Sequence, residues 1–596
     1  MASLSEQFAS LLPVRYFRLF WAQSGARMVV IGVLAVVAGW LEALGIALLF
    51  PLFTAGTGSA TDALSGSLSR VIDFFHVAHT PGGVLPLIVG LFVGKGVLVY
   101  VVYLAQVDAQ ERMTRAQRRR LLSALGNADF RHVAEQNAGF ATNLLVSEVA
   151  RASLGLVYFV RTLAPALNAT VLFLAVLAID WRLTVVCVAM GLLMIGFLRL
   201  SGGAARRHAA IATAESARMA SLVVQTFQAA KYLRATAGFD VFEARVIRSS
   251  ERVLVAERGQ GRAGSALLAF SQPILILFLC GLLYYRAAVL GEPVASLFVV
   301  LVYFLRIMTE LFMLQTSWQS FCGFTGSVDV VEHTIEVTEA RRERGGSVAY
   351  TGIAQALRCD GLTFEYEPGR PVLRDISFTV SPCTTIAFVG ASGSGKSTLV
   401  DLMTGTLKPT AGSVRIDERA LSELDLAGLR RRVGYVPQEA IVFEDTVANN
   451  IALWRPDIDR ARIEAAAHHA HAASFIEALP LGYEAPIGDR GTTLSGGQRQ
   501  RLAIARELVK APDILVLDEA TSALDSESER AIQASIEQLR GTMTILLIAH
   551  RLSTVRTADR IYVLEAGRIA EEGTYDELVA AGGRFTKMVA LQSLAQ

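Results

Sequence analysis

The sequence is poor in the features that mark disulfide, metal and nucleic-acid chemistry. Only five of its 596 residues are cysteine, and no two of them have CxxC spacing. We therefore interpret the cysteines as buried, reduced thiols rather than metal ligands. Lys and Arg number 56 against 54 Asp and Glu, so the net charge of +2 gives no indication of a nucleic-acid partner.

Long stretches without charge dominate the first ~320 residues, and the chain is too long for one globular domain. Six of these stretches are apolar and long enough to cross a bilayer, which takes a helix of about twenty residues. They lie at 28–53, 84–106, 156–178, 183–200, 266–288 and 294–314. The sequence therefore predicts a membrane domain with six spans, followed by a second domain.

Arginine is distributed unevenly between the predicted spans. The segments after spans two and four are rich in it, whereas residues 55–83 contain one arginine, Arg70. The positive-inside rule then places both termini and the second domain in the cytoplasm. Both arginine-rich segments are helical in pattern, so we expect the spans to continue into the cytoplasm as long helices. Residues 1–22, with Arg15 and Arg18 among Leu, Phe and Trp, are predicted to lie along the cytoplasmic face.

A glycine-rich loop in the second domain predicts a nucleotide site. Residues 390–398 fit the pattern G-x-x-x-x-G-K-[ST], in which backbone N–H groups surround phosphates and the lysine reaches the terminal ones. Glycine is needed because a side chain would block the approach of the backbone to phosphate. The candidate ligands are Gly390, Ser392, Gly393, Gly395, Lys396, Ser397 and Thr398.

Two carboxylates follow a continuous apolar run at residues 514–517, which is the pattern of a buried parallel strand. Asp518 is the candidate ligand of Mg²⁺, directly or through water, with Ser397 and Gln438 as further candidates. Glu519 is the candidate general base that orients the attacking water. The predicted cofactors are therefore ATP and Mg²⁺.

A second motif, Leu494-Ser-Gly-Gly-Gln498, resembles the signature of ATP-binding-cassette ATPases. In that family the signature of one cassette closes over the ATP held by another, so this resemblance implies that Ser495, Gly496, Gly497 and Gln498 contact nucleotide in a partner. It also implies that Tyr366 stacks on adenine, that Gln438 links the Mg²⁺ site to the membrane domain, and that His550 contacts the γ-phosphate. Ser522-Ala-Leu-Asp525 matches the segment at the dimer interface. Because none of these motifs is broken, a homodimer with two competent sites is favoured over a heterodimer.

The whole chain resembles a half-size ABC exporter. The implied fold is an α-helical membrane domain, with six transmembrane helices and long cytoplasmic extensions, joined to an α/β P-loop cassette domain with a helical subdomain. We predict domain boundaries at 1–335 for the membrane domain, 336–347 for a linker and 348–596 for the cassette. The resemblance further implies a multi-pass protein of the inner (cell) membrane, with coupling helices near residues 130–139 and 227–234.

The substrate is indicated by weaker features. Residues 40–51, with Glu42 before an apolar run and Pro51, resemble the first span of bacterial lipid-linked oligosaccharide flippases. An amphipathic external helix is predicted at 63–77, as in those flippases, although it could serve as a cap with no substrate role. The expected function is ATP-driven movement of an amphipathic substrate outward, namely a lipid-linked oligosaccharide or other membrane lipid. Export of an antimicrobial peptide or of multidrug substrates remains the alternative.

Charged residues inside spans are costly and therefore point to function. The candidates for a substrate cavity are Glu42, Lys95, Arg161, Arg306 and Glu310. Arg306 and Glu310 are four residues apart on one helix face, so a structural ion pair explains them equally well. Lys95 and Arg161 could bind an anionic headgroup, and Lys95 could instead pair with Glu42.

Overall fold

The computed structural model describes residues 12–48, 70, 72–78, 80–179, 181–289, 294–488, 491–520, 526–549, 551 and 554–593. The chain divides into two compact units, Met1–Arg342 and Glu343–Gln596, called here the helical unit and the α/β unit. This division lies inside the predicted linker at 336–347, and residues 336–340 of that linker are helical.

Six long helices make up most of the described part of the helical unit, and each of them carries one of the predicted spans. Residues 49–53 of the first predicted span lie outside the described residues. The described helices are α1 (Leu12–Ser24), α2 (Ala26–Ala47), α3 (Pro81–Gly126), α4 (Phe130–Ala134), α5 (Ala138–Asn143), α6 (Val149–Ile179), α7 (Trp181–Gln228), α8 (Ala230–Ala235), α9 (Phe239–Tyr284) and α10 (Val294–Ala340), with π-helical turns at Leu144–Glu148 and Tyr285–Val289. Among the described residues, three stretches have the length and apolarity of a membrane span: Ala26–Ile46, Gly82–Gly126 and Ala138–Phe173. The spans predicted on α7, α9 and α10 stay a prediction.

Helix α1 packs on the helical unit through one face. Tyr16 and Phe20, one turn apart, are fully buried against the ring of Phe321, and the Tyr16 hydroxyl donates to the Asp329 carboxylate at 3.1 Å. The opposite face exposes Phe17 and Trp21, whose rings stack with centroids 5.8 Å apart. An aromatic face of this kind suits the membrane interface that the sequence predicts for this segment.

A clamp joins the C-terminal ends of α3 and α10. Arg120 donates twice to the Glu339 carboxylate, at 2.8 and 2.7 Å, in the bidentate geometry that guanidinium groups favour. A short antiparallel bridge pairs Ala128 with Arg342, and the Asp129 amide donates to the Arg341 carbonyl at 2.9 Å. The last residues of the helical unit are thus fixed to the end of α3 and to the residues that directly follow it.

Most of the external helix predicted at 63–77 lies outside the described residues. Within the part of it that is described, Ile72 is buried in a small cluster with Leu48 and Val84, whereas Phe74 and Phe75 are exposed. The amphipathic face proposed from the sequence therefore stays a prediction.

The α/β unit contains two sheets. Its strands are β1 (Leu357–Glu367), β2 (Arg370–Val380), β3 (Thr385–Gly390), β4 (Ala411–Ile416), β5 (Arg419–Ala420), β6 (Val433–Val436), β7 (Ile514–Asp518), β8 (Thr544–Ile548), β9 (Arg560–Glu565) and β10 (Arg568–Gly573). The antiparallel sheet has the order β2-β1-β4-β5. The central sheet has the order β10-β9-β3-β8-β7-β6 and is parallel except for β10 at its edge.

Helices cover the central sheet, and four of them lie between β6 and β7 in the sequence. The described helices of this unit are α11 (Lys396–Met403), α12 (Leu426–Arg431), α13 (Val447–Ala452), α14 (Arg460–His469), α15 (Ala473–Glu477), α16 (Gly496–Leu508), α17 (Ser526–Leu539), α18 (Tyr575–Ala580) and α19 (Arg584–Ser593). Helix α16 packs on α13 and α14, and these helices share one apolar core with a face of the central sheet. A second core lies between the central sheet, α11 and the antiparallel sheet. The fold class predicted from the sequence is confirmed.

Strand register sets the place of the site. Asp518 at the end of β7 pairs with Ile548 of β8, and Ile548 pairs with Phe388 of β3. The carboxyl ends of these parallel strands therefore lie at one level, which is where α/β sheets bind ligands.

Candidate ATP site

The glycine-rich loop begins where β3 ends and opens helix α11. Gly390, Gly393 and Gly395 have φ values of 154°, 78° and 101°, which L side chains rarely adopt. A Cβ at Gly390 would also lie 2.3 Å from the Leu564 carbonyl oxygen, so only glycine fits this position. The loop geometry is therefore the one that leaves backbone N–H groups free for phosphate.

Lys396 is held inside this loop. Its Nζ donates to the carbonyl oxygens of Gly390 at 2.9 Å and Ala391 at 3.0 Å. Burial lowers the pKa of the Lys396 ammonium, while the charges of Glu519 and Asp518 oppose that shift. The two carbonyl oxygens are neutral, so the Lys396 ammonium has no anionic hydrogen-bond partner in this loop. A bound phosphate would supply one.

The carboxylate pair after β7 is positioned by neighbouring strands. The Glu519 amide donates to the Ile548 carbonyl at 2.9 Å, and Glu519 has a left-handed φ of 48°. Gln438, just after β6, donates through Nε2 to Glu519 Oε2 at 2.7 Å. The structure thus brings together the predicted base and the predicted glutamine, which are far apart in the sequence.

Asp518 lies beside hydroxyl donors. The Tyr435 hydroxyl donates to Asp518 Oδ2 at 3.1 Å, and Ser397 also hydrogen-bonds this carboxylate. Burial raises the pKa of Asp518, and these two hydrogen bonds and the charge of Lys396 act in the opposite direction. Ser397 and Asp518, two of the predicted Mg²⁺ ligands, are therefore adjacent.

The residues present fit a triphosphate with Mg²⁺. The Ser394 hydroxyl in the loop is buried and has no hydrogen-bond partner within the described part of the chain, which is the condition of a group that awaits a ligand. Ser397 and Asp518 offer the oxygen ligands that Mg²⁺ prefers. Gln438 contacts Glu519 in this structure, and its role as a ligand stays a prediction.

Tyr366 on β1 is partly exposed near the start of α11. Its hydroxyl lies 3.2 Å from Thr398 Oγ1, and its ring packs edge-on against Phe364. Ser392 is exposed on the loop. An aromatic face beside the phosphate loop suits a nucleobase, and the predicted stacking on adenine remains to be tested.

The signature forms the start of α16. Ser495 is the N-cap, and it exchanges two hydrogen bonds with Gln498 in a capping box, at 2.8 and 3.2 Å. Ser495 and Gly496 are exposed, whereas Gly497 is buried. The exposed start of this capped helix presents the positive end of the helix dipole.

Two predicted elements of the site lie outside the described residues. These are His550, the predicted γ-phosphate contact, and the dimer-interface segment from Ser522 to Asp525. Their roles remain as the family resemblance implies them.

Sequence reasoning missed Asp401, which lies one turn after Ser397 on α11. Burial, and secondly the charge of Asp518, raise the pKa of the Asp401 carboxyl to about 6. The i, i+4 spacing from Ser397 is the signal that could have placed Asp401 on the same helix face. The Mg²⁺ region therefore holds one more carboxyl than the motifs indicate.

Asp401→Asn is expected to stabilise the nucleotide-free protein more at about pH 8 than at about pH 5. A carboxyl whose pKa is raised to about 6 favours the folded state at low pH, and this contribution is lost as the pH rises through that value. Asparagine does not titrate in this pH range, so the variant lacks this pH-dependent contribution. The apparent unfolding temperature of the variant relative to the wild type should rise by roughly 2–4 °C between these two pH values.

Asp417→Asn provides a control of opposite sign. Burial tends to raise the pKa of Asp417, but hydrogen bonds from the backbone N–H groups of Gln355, Ala356 and Ala354 lower it overall. Its contribution is present at neutral pH and is lost as the pH falls, so its removal should destabilise the protein more at the higher pH. Equal pH dependence in both variants would contradict the assigned environment of Asp401.

Four of the five candidate charged residues in the predicted spans form ion pairs with one another. Glu42 Oε2 accepts from Lys95 Nζ at 2.9 Å and from Arg306 Nη2 at 2.5 Å, and Arg306 also contacts Glu310 at 2.6 Å. We call these four residues the charge cluster. It joins helices α2, α3 and α10, and both pairings that the sequence left open are present.

Arg161 lies outside the charge cluster. Its Nε donates to Gln106 Oε1 at 3.0 Å, and its guanidinium lies over the rings of Tyr103 and Tyr158, at 5.1 and 5.6 Å from their centroids. Across the described residues, Arg161 forms no ion pair with a carboxylate. The groups that hold Arg161 in place are thus an amide and two aromatic rings.

Comparison with known families matches both units. Residues 28–312 match the ABC transporter transmembrane region, and residues 373–522 match the ABC transporter ATPase family. In structure, the chain resembles a bacterial Atm1-family ABC exporter with ATP bound, with a TM-score of 0.80, 25% identity, and coverage of 95% of this chain and 98% of the other.

Similar proteins have been described in several bacteria. An ATP-dependent lipid A-core flippase of Chromobacterium violaceum is 31% identical over 554 residues, which cover 91% of this chain and 94% of the flippase. A protein of the same description from Chromohalobacter salexigens is 49% identical over 248 residues, covering 41% and 43% of the two chains. A β-(1→2)glucan export ATP-binding/permease protein of Rhodopseudomonas palustris is 42% identical over 264 residues, covering 44% of each chain.

Proposed function

This chain belongs to the ABC transporters, as a membrane region fused to one ATPase domain, and we propose that it exports a lipid with an anionic, saccharide-bearing headgroup. The observation that carries the proposal is Arg161, a guanidinium in a predicted span that has aromatic and amide neighbours and no carboxylate partner among the residues that the structure describes. A phosphate is the partner that such a group lacks, and aromatic rings suit the faces of sugars. The relatives whose names refer to lipid A-core and glucan support the same class of substrate.

Two copies of the chain complete the ATP sites in this proposal. The signature helix α16 packs on α13 and α14, whereas the loop helix α11 packs on β2, β3 and β8. The two motifs thus belong to different layers of the α/β unit, which supports a site shared between copies. We infer a homodimer because Glu519, Lys396 and the signature are all intact in the one chain.

The residues of the loop hold ATP, and Glu519 withdraws a proton from the attacking water while Gln438 fixes the position of the Glu519 carboxylate. Mg²⁺, when bound by Ser397 and Asp518, would neutralise phosphate charge. ATP can drive closure of the two α/β units only by the difference between its affinities for the open and closed forms. In our proposal the ATPase units lie in the cytoplasm and the substrate moves outward across the inner membrane.

Arg161→Gln should raise the lipid concentration for half-maximal ATPase stimulation at least ~10-fold, because a hydrogen bond to a charged group contributes about 1.5–3 kcal/mol. Lys95→Gln should have a smaller effect, since Lys95 already has a partner in Glu42. The measurement is ATPase activity in nanodiscs titrated with a phosphorylated glycolipid. Arg112→Gln is the control, because Arg112 is an exposed cation on α3 that pairs with Asp108.

The same preparation separates this proposal from the alternative substrates. A short antimicrobial peptide and a hydrophobic dye are titrated in parallel with the glycolipid. Stimulation and transport by the peptide or the dye alone would overturn the lipid proposal and favour peptide or multidrug export.

A further inference from the structure

Helix α1 is held on the helical unit in one rotational setting. Tyr16 and Phe20 are buried on the same side of the helix, and the ring of Phe20 also packs against Phe159, with centroids 5.4 Å apart. Arg15 Nη2 lies 3.0 Å from Asp329 Oδ1, so the carboxylate that accepts from the Tyr16 hydroxyl also neutralises Arg15. These contacts determine which side chains of α1 point away from the protein.

The side of α1 that points away from the protein combines two aromatic rings with an arginine. Phe17, Arg18 and Trp21 are exposed there, and we call these three residues the outward face. Arg27, just beyond the turn between α1 and α2, is exposed as well. Among the residues that the structure describes, neither Arg18 nor Arg27 forms an ion pair. Residues 7–41 contain no Asp or Glu, so this part of the chain supplies no negative charge of its own.

A membrane leaflet with anionic headgroups is the partner that fits the outward face. Exposed aromatic rings beside a predicted span suit the boundary between headgroups and acyl chains, where Trp is enriched. Headgroup phosphates would supply the negative partners that Arg18 and Arg27 lack within the described chain. The positive φ of 55° at Gly25 separates α1 from α2, so α1 can lie along a leaflet that α2 crosses. A partner that covered only the two rings would leave both arginines without a counter-charge.

We propose that the outward face of α1 is a docking surface for anionic phospholipids, and that Arg18 and Arg27 select these lipids over zwitterionic ones. The interfacial position that the sequence predicts for this segment needs only the aromatic rings, whereas selection by charge needs the two arginines. The surface includes none of the residues assigned to the exported lipid or to ATP. It therefore goes beyond the proposed function and is tested independently of the exported substrate.

Trp21 itself reports which lipid contacts the outward face. The full-length protein is placed in phosphatidylcholine nanodiscs that contain the same minor fraction of either brominated phosphatidylglycerol or brominated phosphatidylcholine, since bromine quenches tryptophan fluorescence at close range. Each protein is measured with and without Trp21→Phe, and the difference isolates Trp21 from the other tryptophans. In the wild type, brominated phosphatidylglycerol should quench Trp21 at least ~3-fold more strongly, because each arginine near an anionic leaflet favours it about 5-fold.

Further variants and a change of salt test whether charge is the cause. The double variant Arg18→Gln, Arg27→Gln should bring the ratio of the two quenching signals to about one, whereas Arg18→Lys keeps the charge and should keep the wild-type ratio. Arg370→Gln is the control, because it removes an exposed cation of the α/β unit. Salt at about 1 M, which screens exposed charges beyond about 3 Å, should lower the ratio in the unaltered wild type, where no folding defect can interfere.

Equal quenching of Trp21 by the two brominated lipids in the wild type would overturn the proposal. A ratio that stays high in the double variant or at high salt would do so as well, since charge would then not be the cause. If neither lipid quenches Trp21, the outward face is covered by protein, such as a second copy of the chain, and the proposal also fails. None of these results bears on the exported lipid, which has its own titration.

Discussion

Glu519→Gln is expected to lower steady-state ATP hydrolysis at least ~100-fold while ATP binding is retained. The phosphate contacts of the loop and the Mg²⁺ ligands are unchanged in this variant, but the attacking water loses its base. Glutamine has the size of glutamate and can still accept the hydrogen bond from Gln438, which measures 2.7 Å. The variant should therefore accumulate with ATP bound and the two copies closed on each other.

Hydrolysis is measured by phosphate release, ATP affinity by equilibrium titration, and closure by cross-linking with and without ATP. Glu537→Gln is the matched control, because Glu537 is an exposed carboxylate on α17. Turnover close to that of the wild type in purified Glu519→Gln would remove Glu519 from the role of base.

Heterodimers of Lys396→Ala and Ser495→Arg chains are expected to recover ATPase activity that either variant lacks alone. If each site takes its loop from one chain and its signature from the other, such a dimer has one site with both lesions and one intact site. Equal mixing makes about half of the dimers mixed, so activity should reach roughly a quarter of the wild-type value. Each homodimer carries a lesion in both sites and should remain inactive.

A second pairing makes the result decisive. When a wild-type chain is paired with a chain that carries both Lys396→Ala and Ser495→Arg, every shared site contains one lesion, and activity should be lost. Sites built within single chains would give the reverse, with an active wild-type and double-variant dimer and an inactive mixture of single variants. Purification through two different tags confirms that mixed dimers have formed.

The ATP site could be predicted from the sequence because its main parts are local. The glycine-rich loop fixes phosphate ligands within nine residues, and Asp518 and Glu519 directly follow an apolar strand. The contact between Gln438 and Glu519 depends instead on the order of β6 and β7 in the sheet. Family resemblance placed Gln438 at the Mg²⁺ site, but neither that resemblance nor residue spacing predicted its hydrogen bond to Glu519.

The charged residues of the predicted spans include one pair that sequence spacing predicts and other contacts that it cannot predict. The pair of Arg306 and Glu310 follows from i, i+4 spacing on one helix. That Glu42 would bond both Lys95 and Arg306 depends on how three helices pack, and no spacing in the sequence encodes that packing. The neutral neighbours of Arg161 come from α3 as well as from its own helix, so its special position became visible only in the folded chain.

The left-handed backbone of Glu519 has a consequence for how this gene can evolve. Glutamate is a poor choice at a φ of 48° on conformational grounds, whereas glycine or asparagine adopts this region at little cost. Selection for hydrolysis therefore acts against local folding preference at this position. In a duplicated gene copy that is freed from that selection, we expect glycine or asparagine to replace Glu519 before other residues of the site change. The replacement should raise the free energy of unfolding without compensating substitutions in the neighbouring motifs. Thermal unfolding of Glu519→Gly against Glu519→Ala checks the premise, since glycine should be the more stable of the two.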